Sequence, residues 1–199
     1  MSHVAERIRN LASTPVEDAI GRFAHRAFAQ GVAQVAFGRV PSPIGDLTAL
    51  VTHKGLVALA FETDDLDGIM RSVARKVSPA IVRFPSAVGP VQSWIDAYFG
   101  ARPVSELRLD RSLITPFQER VLTATSGIPL GEVRTYGQVA SLAGNPKAAR
   151  ATGRALGANP IPIVLPCHRV VASDGSLHGY AGGLDRKRML LDHEKAISV

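Results

Sequence analysis

Apolar and polar positions alternate in two different textures along this chain. From Val32 onward the apolar residues come in short runs. Val35–Val40, Asp46–Thr52 and Val57–Phe61 are rich in β-branched or apolar residues, and Pro41-Ser42-Pro43, Gly45 and the His53-Lys54-Gly55 turn punctuate them. Runs of this kind between turn formers predict strands. Leu66–Val77 has helical spacing and stops at Ser78-Pro79. Ile81–Phe84 reads as one more short strand, and Val91–Phe99 as a helix ended by Gly100. Upstream, Glu6–Leu11 predicts a short helix. Thr14-Pro15-Val16-Glu17 then supplies a cap, a helix-starting proline and a capping-box glutamate before a helix over Ala19–Ala29.

Beyond Leu107–Ser112, which reads either as one more strand or as a linker, the periodicity turns helical. Thr115-Pro116-Phe117-Gln118 and Thr135-Tyr136-Gly137-Gln138 each form a capping box. Gly144 breaks the chain, Asn145-Pro146 predicts the start of a third helix running to about Leu156, and Leu184–Lys195 predicts a closing one. The expected architecture is α/β. Residues 1–30 form a helical extension. Residues 31–106 form a small mixed α+β domain, with a three-stranded antiparallel sheet and helices. Residues 113–199 form a mainly helical domain containing a helix-turn-helix.

Composition adds compartment and partner. The chain has 199 residues, 46% hydrophobic and 20% charged, enough to bury a sizeable core. No apolar run is long enough to span a bilayer, and MSHVAERIRN lacks the apolar stretch of a signal peptide. A single cysteine suits a reducing compartment. The expectation is a cytoplasmic protein with no membrane association. Its net charge of +6 admits an acidic partner, and residues 113–199 carry +4 of it against +2 in residues 1–112.

Position sharpens that excess. In TYGQVASLAGNPKAARATGRALGANP, a helix over Tyr136–Ala143, a turn at Gly144-Asn145 and a second helix outline a helix-turn-helix. Lys147, Arg150 and Arg154 follow one another at spacings that put them on one face of the second helix. Ala148, Ala149, Ala151, Thr152, Gly153 and Ala155 between them keep it slim. Cations on a slim helix suit a DNA groove. The same pattern also fits a helix packed closely inside the protein with its cations solvated. There is no run of aromatic residues for stacking single strands, which favours duplex DNA.

The stretch Leu165-Pro166-Cys167-His168-Arg169-Val170-Val171 holds the only cysteine. One sulfur makes neither an internal disulfide nor a zinc site, so it is a small hydrophobe or a nucleophile. Prolines at 160, 162 and 166 stiffen its approach. A nucleophile needs a base, and His168 is adjacent, but neighbours on an extended chain point apart. Contact requires a turn or an intervening water. A carboxylate should orient the imidazole, with Glu194 and Asp192 as candidates. Downstream, Gly179-Tyr180-Ala181-Gly182-Gly183 is either a plain surface loop or a close backbone approach to a planar ligand, with Tyr180 as a wall.

Taken together, the PCHR core followed by Val170, IPLGEVRTYGQVASLAGNPKAARATGRALGANP before it and GYAGGLDRKRMLLDHE after it resemble the O6-alkylguanine-DNA alkyltransferase family, also called methylated-DNA–protein-cysteine methyltransferases. The close resemblance covers about residues 113–195. The first half is similar only through SPIG-x-L and its order of strands and helices, and residues 1–30 match nothing.

The resemblance implies a suicide DNA repair enzyme, acting on O6-alkylguanine in double-stranded DNA. Cys167 accepts the alkyl group irreversibly, His168 deprotonates it through a water, Glu194 orients His168, and Tyr136 helps protonate the leaving base. It implies base flipping from the minor groove, which is only about 6 Å wide. Arg150 fills the place of the extruded guanine, and Lys147, Arg154, Ala149 and Ser173 are further DNA contacts. Asn159 acts as a hinge, and with Val170, Tyr180, Ala181 and Gly182 it builds the pocket.

No cofactor or metal is expected, and the protein is expected to be a monomer in solution. Ala181 departs from the serine of many relatives, and Leu122 from a tryptophan common in bacterial ones. Two rivals differ in class. A non-catalytic lesion sensor or helix-turn-helix regulator binds without transfer, and a cysteine hydrolase using Cys167 and His168 needs an oxyanion site the sequence does not display.

Overall fold

The computed structural model describes residues 17–195. The helix expected over Glu6–Leu11 and the Thr14-Pro15-Val16 start signal lie outside the described residues. Residues 17–29 form helix α1, whose Ala24 and Ala27 are buried and whose Phe28 stacks on His53 at a centroid distance of 4.3 Å.

Strands β1 (Val35–Val40), β2 (Leu47–Thr52) and β3 (Gly55–Phe61) pair antiparallel, as expected from three apolar runs separated by tight turns. The short run after helix α2 (Leu66–Lys76) joins this sheet as β4 (Ile81–Arg83), parallel to β1. The sheet is therefore four-stranded, in the order β3-β2-β1-β4. Three residues suffice for β4 because the α2 crossover returns the chain to the free edge of β1. The strands have apolar residues on both faces. Val35, Leu50, Val57 and Ala58 pack with Val73 of α2. Ala36, Ala49, Val51, Leu56 and Leu59 belong to the main core, with Trp94, Ile95 and Tyr98 of helix α3 (Gly89–Phe99). Burial on both faces explains why β3 reads as an unbroken apolar run.

The stretch 107–112 is extended and makes a single bridge, Leu56 to Leu109. Leu56 N–H donates to Arg108 O at 2.9 Å, and Asp110 N–H donates to Leu56 O at 2.8 Å. It crosses so closely over the start of β3 that only a glycine fits there. Gly55 has φ +142, and a Cβ on it would lie 2.1 Å from the Arg108 carbonyl oxygen.

Beyond this crossing, helix α4 (Pro116–Ser126) and helix α5 (Tyr136–Leu142) both start from complete capping boxes. Helix α6 (Ala149–Gly157) begins three residues later than expected from a cap at Asn145 and a first residue at Pro146. Gly144 at φ +85 closes α5, with Asn145 N–H bonded to Ala140 O. A separate turn, Ala148 N–H to Asn145 O, intervenes before α6 starts. Lys147 therefore sits in the turn and not on the helix with Arg150 and Arg154.

Gln118 joins the α4 cap to α6. Its Nε2 donates to Ala155 O at 3.0 Å and Ala158 O at 2.8 Å. Two short strands, β5 (Arg134–Thr135) and β6 (Val170–Val171), pair parallel and fix the start of α5 beside the cysteine segment. Helix α7 (Leu184–His193) closes the chain. The main core draws on both halves, from Leu47 and Trp94 to Leu122, Ile161 and Leu190.

Gly55→Ala should destabilise the protein by about 2 kcal/mol or more, from a disfavoured φ combined with a backbone clash. A denaturant midpoint within error of wild type would contradict this close crossing.

Candidate active site

The apolar, proline-stiffened approach to Cys167 runs through a strained residue. Ile163 has φ +72, an outlier for a β-branched side chain, and is buried. Asn159 holds the segment closed. Its Nδ2 donates to Leu165 O at 2.8 Å and lies 3.2 Å from Cys167 Sγ, while its Oδ1 accepts from Ile161 N–H at 3.0 Å. The chain then makes a 3-10 turn over Cys167–Arg169. This turn removes the extended geometry that would throw Cys167 and His168 to opposite sides.

Cys167 is buried, and burial raises its thiol pKa. The Asn159 amide, the Lys187 charge and the backbone N–H groups of Cys167 and His168 oppose that rise. His168 is fully buried. Its Nε2 lies 2.9 Å from Glu194 Oε1. A carboxylate acceptor there places the imidazole hydrogen on Nε2 and leaves Nδ1 with its lone pair. Nδ1 has no hydrogen-bond partner among the described residues. Burial also lowers the His168 pKa, against the pull of Glu194, so the ring is held neutral.

Glu194 is the better-connected acid. Besides His168 it accepts Arg169 Nε at 2.7 Å, Arg169 Nη2 at 2.9 Å and the Tyr98 hydroxyl at 2.6 Å. Burial alone would raise its pKa, but these donors bring it down to about 2. Arg169 also donates Nη1 to Ile128 O at 2.7 Å. Asp192, the other carboxylate considered, is exposed.

The cleft beside this site has a volume of about 650 Å³. Tyr136, Ala149, Arg150, Gly153, Gly157, His178, Gly179, Tyr180 and Ala181 line it. Gly153 of α6 faces the Tyr136 ring, and a Cβ there would make ordinary contact with it at 3.7 Å. Tyr136 donates its hydroxyl to His178 O at 3.1 Å. Burial first, and the Cys167 charge second, raise the pKa of both Tyr136 and Tyr180. Both phenols therefore stay protonated. The Tyr180 hydroxyl is buried with no partner among the described residues.

Five of the sequence-selected residues, Tyr136, Ala149, Arg150, Tyr180 and Ala181, meet at this cleft. Arg150 and Arg154 are exposed on α6, Lys147 is exposed in the turn before it, and Ser173 is exposed in the turn after β6. None of Lys147, Arg154 and Ser173 lines the cleft. Val170 is buried in β6, and Gly182 is buried in the loop before α7.

Three participants escaped sequence reasoning. Tyr98 and Arg169 complete the Glu194 shell. Lys187 is buried to 1% exposure and donates Nζ to Val170 O at 2.6 Å and His178 O at 3.1 Å. In sequence, Arg169 and Lys187 look like ordinary surface cations, and Tyr98 lies 96 residues from its partner.

Fold and site define a helix-turn-helix protein with a buried cysteine, histidine and glutamate set beside its second helix. The comparisons with known proteins agree. The family described as 6-O-methylguanine DNA methyltransferase, DNA binding domain, matches residues 116–196. The methylated-DNA–protein-cysteine methyltransferase of Mycobacterium tuberculosis is 38% identical over 166 residues, covering 81% of this chain and 93% of that protein. The enzyme of that name from Salmonella typhimurium is 59% identical over 80 residues, 40% of this chain and 47% of its own. The crystal structure of Mycobacterium tuberculosis OGT in complex with DNA is similar with a TM-score of 0.69 at 38% identity, over 81% of this chain and 93% of that one. The chain belongs to the methylated-DNA–protein-cysteine methyltransferase family. Among the described residues no group of histidine, cysteine and carboxylate side chains could hold a metal ion, and no helix is long and apolar enough to cross a membrane.

Acid should weaken the fold in two stages, because both shifts act in the same direction. A carboxyl held at about 2 against a free value of 4.5 contributes stability above that free value and loses it as pH falls towards 2. An imidazole held below 6.5 lets the unfolded chain bind the proton first, so stability also declines below pH 6.5. The thermal midpoint is expected to be flat near neutrality, to fall below pH 6.5 and to fall more steeply below 4.5, with Glu194→Gln removing the second limb. A midpoint that rises on mild acidification would contradict the neutral, buried His168.

Proposed function

We propose that this chain is a single-turnover DNA repair enzyme that moves an alkyl group, typically methyl, from O6 of guanine in duplex DNA onto Sγ of Cys167. The carrying observation is one constellation. The chain's only cysteine is hydrogen-bonded by Asn159 and preceded by a strained loop. It is followed by a neutral histidine whose far nitrogen is committed to Glu194, and it lies beside the cleft of a helix-turn-helix.

The residues then have distinct tasks. Cys167 makes no hydrogen bond to His168, so the thiol proton reaches the free Nδ1 of His168 through a bridging water. Glu194 stabilises the imidazolium that forms. The sulfur attacks the alkyl carbon in line, the C–S bond forms and the C–O6 bond breaks. Tyr136 turns its hydroxyl from His178 O towards the departing guanine and passes it a proton, which the His168 imidazolium restores through water, so guanine leaves as a neutral base. A thioether has no facile return path, so each molecule reacts once.

O6 is inside the stacked duplex, so the base must be flipped out, which costs a few kcal/mol. Arg150, at the mouth of the cleft on α6, occupies the gap from the minor-groove side. Lys147, Arg154 and Ser173 contact the backbone around it, and Ala149 allows the close approach. Tyr180 supplies the stacking wall. Backbone groups of Val170, Ala181 and Gly182, with the Asn159 hinge, complete the pocket. We further read the protein as a cytoplasmic monomer.

Incubation with duplex DNA carrying O6-methylguanine should add one methyl group to Cys167, read by intact mass and peptide mapping, and Cys167→Ala should abolish this while retaining DNA affinity. An unchanged mass with binding preserved would favour a lesion sensor. Repeated rounds of release would favour a hydrolase. Arg150→Ala should slow repair of duplex DNA by about tenfold or more while leaving reaction with free O6-benzylguanine nearly unaffected. Equal losses on both substrates would sink the flipping role.

A further inference from the structure

The SPIG segment has no part in the chemistry above, yet it is built around one side chain from the far end of the protein. Ser42 and Gly45 close a tight turn, with Gly45 N–H bonded to Ser42 O at 3.2 Å. Gly45 takes φ +104, and a Cβ there would lie 3.1 Å from Nη2 of Arg186 and 3.0 Å from Glu62 Oε1. The positive φ requires glycine, and any side chain here would press on the tips of Arg186 and Glu62.

Arg186 lies in the first turn of α7, just after the loop that carries Tyr180. Its guanidinium joins three segments. Nε donates to Ile44 O of the SPIG turn at 2.8 Å. Nη2 and Nη1 reach Glu62 Oε1 at 2.8 Å and Thr63 Oγ1 at 3.2 Å, just past β3. Nη1 also donates to Gly182 O at 3.1 Å, in the cleft loop itself.

The same group sits 5.4 Å from the centroid of Phe61, a ring that is 2% exposed. Phe61 in turn meets Tyr180 edge-on, with centroids 5.7 Å apart. It also fills the space at Gly182, where a Cβ would lie 2.7 Å from the ring. The Glu62 side chain is 54% exposed, so that ion pair contributes little. The carbonyl bonds and the ring contact carry the connection.

We propose that Arg186 is a positioning residue for substrate binding. Anchored in the SPIG turn, it presses Phe61 and the loop at Gly182 together and so fixes Tyr180 as the wall of the base pocket. The first half of the chain thereby sets the shape of a pocket whose reacting groups all come from the second half. A lysine cannot replace it, since a single ammonium on a flexible stem cannot span acceptors that a planar five-donor fork reaches together. This proposal rests on the alkyl-transfer reading of the cleft.

The test is single-turnover transfer from free O6-benzylguanine to the full chain, over a range of concentrations. Arg186→Met and Arg186→Lys should raise the half-saturating concentration about tenfold, the weight of one base-stacking contact, and change the limiting rate much less. Gly182→Ala, which pushes the loop away from Phe61 from the other side, should give the same shift. Labelling of Cys167 by iodoacetamide, which needs no wall, should proceed at the wild-type rate in both Arg186 variants.

An unchanged half-saturating concentration would overturn the proposal. So would a loss matched by faster iodoacetamide labelling, which would mark mere loosening of the fold. Failure of the wild-type chain to take up the benzyl group would instead sink the functional reading itself.

Discussion

A buried carboxylate must be paired or it costs several kcal/mol, and in this protein the pairing of Glu194 organises everything around the sulfur. Its donors come from separate parts of the chain. His168 and Arg169 come from the turn that carries Cys167, and Tyr98 comes from α3 in the first half. Satisfying one anion therefore draws the end of α7, the turn that carries Cys167 and α3 to a single point. It also fixes the tautomer of His168 and so decides which nitrogen keeps its lone pair free. Tyr98 is buried beside Glu194, and its phenol pKa is raised, so it serves only as a donor.

The surroundings of Cys167 balance opposing effects. Burial keeps the sulfur as a thiol, which protects it from adventitious oxidation, while the Asn159 amide and the Lys187 charge favour the thiolate. His168 is held neutral and so is able to accept a proton. The resting state is thus thiol and imidazole, and charge separates when the site is put to use. Lys187 contributes twice. It ties Val170 O to His178 O and so joins the nucleophile segment to the cleft loop, and it places a cation near the sulfur.

Much of this was legible in the sequence where the information is local. The capping boxes placed the starts of α4 and α5 correctly, and the three apolar runs placed the sheet, because each depends on a few adjacent residues. Glu194, proposed from sequence as the carboxylate for His168, does lie against it in the fold. Errors arose where one local signal had two structural solutions. Asn145-Pro146 can open a helix or extend a turn, and the closure at Gly144 selects the turn, which moves Lys147 off α6. Ile81–Phe84 reads as a strand, but its place beside β1 depends on the crossover and on an open edge, neither of which is visible in so short a run. Tyr98, Arg169 and Lys187 could not be found because their identity gives no sign of burial. Only the fold shows that Lys187 is enclosed.

Strain at Ile163 fits the same logic. A β-branched residue at positive φ costs on the order of 1–3 kcal/mol, and it stands between Asn159 and Cys167, inside the loop that aims the thiol. Relaxing it would require breaking the Asn159 bonds to Leu165 O and Ile161 N–H, both buried, which costs at least as much. The loop therefore has one deep conformation, and the direction of the sulfur is fixed before any substrate arrives. A site that needs only one productive encounter gains from such rigidity. The cleft side is built differently: Tyr136, Arg150 and the Tyr180 loop lie among glycines, with side chains more exposed than Cys167 and His168.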